Sequence, residues 1–306
     1  MPPPLIDLKQ RRDIGDIIAV YFDFFKKHLK PFLNIFIRYN GLFIMGFLLV
    51  SYLMVTGFVG SIRANPLGET NTGESDLLLG LGVLGFFGLF VVVTIMNYSL
   101  AASYLVNYEK NPSLEVNKKA VWELVYNNIG RILLFILLLI LLYIPIIIVG
   151  AVVSFIPVVG ILVRYLIGLI FTTWMGLAFM PIFYENRDVT DSLGEGWRLV
   201  TQHFWKSVLV NFVLSILLFI LLFVVLMIPG VLIGVYAFHS LENGVDLAES
   251  PFATVVWTLA LCIFLVLYTL LQSMMQLGNG VLYFSVHEET YNHNARKRIE
   301  QIGAGE

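Results

Sequence analysis

The chain has 306 residues, 58% hydrophobic and 13% charged, with a formal net charge of −2 and one cysteine. A soluble domain carries about 25% charged residues, so there are too few here to cover a water-facing surface. The charge balance argues against a nucleic-acid partner, and the lone Cys262, inside an apolar run, excludes a disulfide framework and a thiolate metal site.

The first residues, Met1-Pro2-Pro3-Pro4-Leu5-Ile6-Asp7, show no short apolar core with a cleavage site, so no secretory signal is expected. Residues 13–30 place Ile14, Ile17, Ile18, Tyr21, Phe25 and Leu29 at helical spacing. The stretches 39–62, 77–108, 132–163, 165–184, 207–241 and 250–287 then contain no charged side chain. Roughly 20 apolar residues of helix cross a bilayer core about 30 Å thick, and a helix satisfies its own backbone there. Six transmembrane helices are expected.

Two further amphipathic segments separate the spans. Residues 114–128 carry Val116, Ala120, Leu124 and Asn127 on one stripe beside Trp122 and Val125, after a start signal at Pro112-Ser113. Residues 191–206 carry Leu193, Trp197, Val200 and Phe204, with Thr190-Asp191 as start signal. All three segments combine aromatic and basic residues, the profile of helices lying in the membrane interface. The chain therefore reads as three pseudo-repeats of interfacial helix, span, span, over 12–109, 113–185 and 190–289, within one integral membrane domain and followed by a tail at 290–306. Aligning Glu109, Glu185 and Glu288 at the ends of the even spans puts Asn97, Thr173 and Gln276 twelve residues upstream, all polar. Such a repeat implies a pseudo-threefold bundle.

Seventeen of the 19 Lys and Arg residues fall before span one, between spans two and three or four and five, or after span six. Only Arg63 and Arg164 lie on the other side, so both termini are expected in the cytoplasm. The outer connections, around Asn65-Pro66-Leu67-Gly68, Pro157 and residues 239–249, are short.

The run Asp191-Ser-Leu-Gly-Glu-Gly-Trp-Arg-Leu-Val-Thr-Gln-His-Phe-Trp-Lys206, leading into an apolar span, resembles the repeated element of bacterial six-span proteins related to the membrane domain of glycerophosphodiester phosphodiesterases. With the charge bias, the resemblance implies a bacterial inner membrane. No stretch here would form the catalytic barrel that some family members append. The resemblance therefore implies no hydrolase activity and maps no catalytic residue.

Three features bear on function. Tyr268, Gln272, Gln276, Asn279 and Tyr283 form one face of the sixth span, and amides are costly in lipid, so they face protein or water. They read either as interhelical glue or, with Asn97 and Thr173, as the wall of a polar cavity. Glu109, Glu185 and Glu288 end helices where a negative charge opposes the macrodipole, which invites a cation, a basic partner or a nearby Lys110 or Arg187. Pro145 and Pro229 mark bends near the outer ends of their spans. The five histidines lack ligand spacing, with His287-Glu288-Glu289 and His293 the nearest approach to a metal set, and the glycines of Gly80-Leu-Gly82-Val-Leu-Gly85-Phe-Phe-Gly88 read as close helix packing.

The expected protein is all-α, with no cofactor and no catalytic motif. Its foremost reading is a non-enzymatic scaffold or subunit of an envelope assembly, gripping membrane lipids and docking a membrane-protein partner on its interfacial helices. The second is a transporter or lipid-handling protein with a cavity lined by Asn97, Thr173, Gln272, Gln276 and Asn279.

Overall fold

A computed structural model describes residues 5–64, 73–112, 116–156, 158–242 and 250–292. The expected turns at Asn65–Gly68 and Pro157, the Ser113 start signal, most of the 239–249 connection and the tail bearing His293 and Arg296 lie outside them. The described residues form eight helices and no strand: α1 (Ile14–Ala64), α2 (Gly73–Lys110), α3 (Lys118–Asn127), α4 (Ile129–Val153), α5 (Val159–Tyr184), α6 (Val189–Gln202), α7 (Phe204–Glu242) and α8 (Pro251–Tyr291). Six of them, all except α3 and α6, are long and apolar enough to cross a membrane. At 1.5 Å per residue the 51-residue α1 measures about 77 Å, far more than a bilayer core requires.

The short segments ahead of the odd spans do not behave alike. The first is no separate helix, because α1 runs unbroken through residues 14–64 with Pro31 inside it. The other two are distinct helices, parted from the following span at Asn128 and His203. α3 starts later than its sequence signal, where the Asn117 side chain accepts from the Lys119 N–H and caps the helix. α6 starts at Val189 after Asp188 and buries Ser192, Glu195, Gly196, Leu199 and Val200, while Trp197 stays exposed. Of the stripe expected there, only Val200 is fully inward. The backbone also continues helical past Pro145 to Val153 and past Pro229 to Glu242, so neither proline ends its helix.

The chain divides into two compact units. Unit 1 comprises Met1–Asn34, Tyr98–Ile216 and Ser273–Glu306, and unit 2 comprises Ile35–Asn97 and Leu217–Gln272.

The core of unit 1 is centred on the last turns of α8. Gly278 leaves room for Leu214 of α7 and the Tyr21 ring of α1, Asn279 packs over Gly176 of α5, and Gly280 leaves room for Leu105 of α2 and Met180 of α5. Three consecutive residues thus meet four helices, which is why two of them have no side chain. Gly196 brings α6 onto α5, since a Cβ there would lie 2.6 Å from the Ala178 backbone N and Cα.

In unit 2, α1 and α2 run antiparallel in close contact. A Cβ on Gly57 would strike the Leu79 backbone, and one on Gly82 would lie 2.8 Å from Met54 N. Gly82 and Gly85 therefore serve the expected packing, whereas Gly80 and Gly88 have nothing within 4 Å. Cys262 is buried in an apolar cluster with Phe47, Val93 and Leu265.

Candidate functional site

The five residues of the expected cavity fall in both units. In unit 2, Asn97 is fully buried; its Oδ1 accepts from Asn40 Nδ2 at 2.8 Å and its Nδ2 reaches Thr269 O at 3.5 Å. Asn40 also donates to Phe36 O of its own helix, and the Thr94 hydroxyl donates to Gln272 Oε1 at 2.9 Å. In unit 1, Gln276 donates to Gly176 O at 3.2 Å, Asn279 donates to Gln276 Oε1 at 3.2 Å, and the Thr173 hydroxyl turns back onto Leu169 O at 2.7 Å. Each bonds a protein group, which removes much of the cost of holding an amide in an apolar interior. Asn40 and Thr94 were missed as partners; an isolated amide in the first apolar run was the available signal.

The carboxylates are partnered and largely shielded, all in unit 1. Glu109 pairs with Lys9 at 3.1 Å, rather than with adjacent Lys110, and the Lys9 ammonium lies over the Tyr184 ring, 4.8 Å from its centroid. Burial opposes the Lys9 charge, but Tyr184 and Glu109 outweigh it and raise its pKa. Glu185 Oε1 accepts from the Tyr283 hydroxyl at 2.6 Å and lies 3.0 Å from His287 Nε2, while Oε2 meets Arg187. Burial alone would raise the Glu185 pKa, yet the hydrogen bonds from His287 and Tyr283 and the charge of Arg187 lower it to about 2. Arg187 also holds Glu195 of α6 at 3.1 Å, and the Tyr291 hydroxyl donates to both Glu195 oxygens at 2.8 and 3.0 Å. Arg198 completes the chain with a 3.2 Å bond to the Tyr291 hydroxyl.

Glu288 is buried. Its neighbour Glu289 carries ion pairs, to Lys206 and, at 3.4 Å, to Arg11, with His203 Nδ1 3.9 Å away. Neither Glu195 nor Glu289 lies at the aligned position, so no ion-pairing role was read for Glu195, and Glu289 was named only beside His287, Glu288 and His293. Among the described residues no three His, Cys, Asp or Glu side chains are grouped to hold a metal.

The segment before α1 was also missed. Leu8 is fully buried, Ile6 exchanges two hydrogen bonds with the Tyr108 hydroxyl at 2.8 and 3.0 Å, and Arg12 caps the carbonyls of Asp7 and Leu8. Through Lys9 and Arg11 this strap reaches the ends of α2, α5 and α8. A polar, proline-led terminus gives no periodic signal, so its docking could not be read from spacing.

The region that contains α5 to α8 carries a similarity to a known family. Residues 154–303 match the family described as the membrane domain of glycerophosphoryl diester phosphodiesterase. The match includes the run 191–206 on which the resemblance was read. No curated protein and no solved structure matches the chain. Together the membrane-domain match and the six apolar helices make this an integral, multi-pass membrane protein.

Proposed function

We propose that the protein is a non-enzymatic scaffold or subunit of an assembly in a bacterial inner membrane, with both termini cytoplasmic. Three pseudo-repeats give it three docking segments at the cytoplasmic face, which grip anionic lipid and receive a membrane-protein partner. The carrying observation is how the polar groups are used. Glu109, Glu185, Glu195 and Glu289 all pair with other parts of unit 1, and the stripe amides bond neighbouring backbone and side chains. Such groups hold helices in place. The charge bias of the sequence supports the orientation, and the parallel breaks at Asn128 and His203 support the repeat for its second and third copies. Exposed aromatics on the docking segments, Trp122, Tyr126, Trp197 and Trp205, supply anchors for a lipid or protein surface.

The test is copurification from native membranes in mild detergent, with wild type beside a Trp122→Ala, Trp197→Ala, Trp205→Ala variant. A stoichiometric partner lost from a folded variant supports the reading. A monodisperse wild type that carries no protein overturns it.

One observation favours the lipid-handling alternative. Ile146, Ile167, Ile170, Phe171, Trp174 and Trp197 line a partly open apolar groove of about 170 Å³ in unit 1, chemically suited to part of an acyl chain. A single enriched lipid in the same preparation, without a protein partner, would select it.

A further inference from the structure

On α1, α7 and α8 of unit 1, four polar groups stand apart from the network above. The hydroxyls of Tyr21, Ser207 and Ser285 and the Asn211 side-chain oxygen are buried and bond no protein group, including one another. The four residues are at most 1% exposed. Asn211 uses its amide N–H on Ser207 O, so its oxygen still needs a donor. Leaving such groups dry costs about 1–3 kcal/mol each, and buried polar groups in folded proteins are nearly always satisfied.

The helix registers bring these groups together. α7 and α8 are antiparallel, with Leu214 opposite Gly278, and His203 bonded to Thr290 at 3.0 Å. Seven residues are about two turns, so Ser207 lies below Leu214 on its face, as Ser285 does beyond Gly278. The two serines therefore share a level, and Asn211 sits one turn above Ser207. α1 is antiparallel to α8 as well, with Tyr21 at Gly278 and Arg11 at Glu289. Tyrosine side chains on a helix lean toward its N-terminus. That lean carries the Tyr21 hydroxyl from the level of Gly278 toward that of Asn211.

We propose that Tyr21, Ser207, Asn211 and Ser285 form a buried hydration site between α1, α7 and α8 that holds ordered water. The chemistry selects a small neutral ligand. None of the four groups carries a charge, three offer both a donor and an acceptor, and one offers only an acceptor. A water can donate to Asn211 while accepting from a hydroxyl, and an internal water needs two to four such partners.

Hydroxyl-radical labelling of the full chain in lipid nanodiscs, read by mass spectrometry, tests this, because ordered water delivers radicals to side chains that bulk solvent does not reach. Tyr104 and Tyr283 are equally buried controls whose hydroxyls are bonded to His28 and Glu185. Tyr21 is expected to label several-fold faster than either, and Ser207→Val, which fills the site, to bring it down to their rate. Wild-type Tyr21 labelling no faster than the controls overturns the site without recourse to any variant. Fast labelling that survives in folded Ser207→Val also overturns it, since the water would then come from elsewhere.

Discussion

Unit 1 and unit 2 draw on the same four long helices but are held by different forces. Unit 2 relies on apolar packing, glycine contacts between α1 and α2, and two amide pairings, Asn40 with Asn97 and Thr94 with Gln272. Unit 1 adds α3 to α6 and ties its helix ends with the chains around Glu185, Glu195 and Glu289. α5, wholly within unit 1, is 61% buried over its apolar window, against 22% or less for every other span. Where lipid is as apolar as leucine, burial alone does not drive helices together, so close packing and polar pairing must do so. The difference locates the specificity of the fold. In unit 1 the carboxylates Glu109, Glu185, Glu195 and Glu289 each hold a charged partner, whereas the amide pairings of unit 2 join neutral side chains.

The sharpest way to break this contrast is at the glycines. Gly196→Ala places its Cβ 2.6 Å from the Ala178 backbone and should cost about 3 kcal/mol or more, enough to stop accumulation. Gly194→Ala, with nothing within 4 Å, is the matched control and should accumulate normally. Membrane yield and monodispersity in detergent read both.

Next comes Arg187→Met. It strips a shared cation from Glu185 and from Glu195, whose side chain is 4% exposed, and should cost about 2–3 kcal/mol. Hydrogen exchange should show the loss at α5 and α6, with unit 2 protection unchanged; uniform loss in both units would dissolve the distinction.

Acid should act in the same sense. Glu185 has its pKa depressed to about 2, so its stabilisation is complete above the unfolded carboxylate value near 4.5. It is lost as pH falls from there toward 2. Exchange protection in unit 1 should fall through that window in the wild type, and the Glu185→Gln variant should lose less.

The smallest effect belongs to unit 2. Asn97→Leu should cost about 0.6–1.7 kcal/mol, the range for polar pairs between membrane helices, and adding Asn40→Leu should recover part of it. Thermal unfolding in detergent of the two single variants and the double gives the coupling.

Much of the architecture was legible because membrane spanning is written in length and composition. Six apolar runs gave six helices, and the run 191–206 lies within the family match at 154–303. The amides of the sixth span were visible because polar atoms are scarce there, and Gln276 and Asn279 do bond across and along the helices. What failed was the detail that depends on where helices face. α1 continues where a break was expected, α6 buries Ser192 and Glu195 in place of Leu193 and Trp197, and Glu109 chooses Lys9 over Lys110.

The sequence by itself determined that the chain carries six helices long and apolar enough to cross a membrane, because each apolar run must satisfy its backbone internally. It also marked which polar residues would need partners. The partners themselves were decided only by the tertiary structure. Lys9 and Glu109 are a hundred residues apart, Tyr283 and Glu185 nearly so, and their pairing depends on helix register and rotation, which local periodicity does not encode. In a lipid-facing protein one apolar face resembles another, so packing alone fixes which one turns inward.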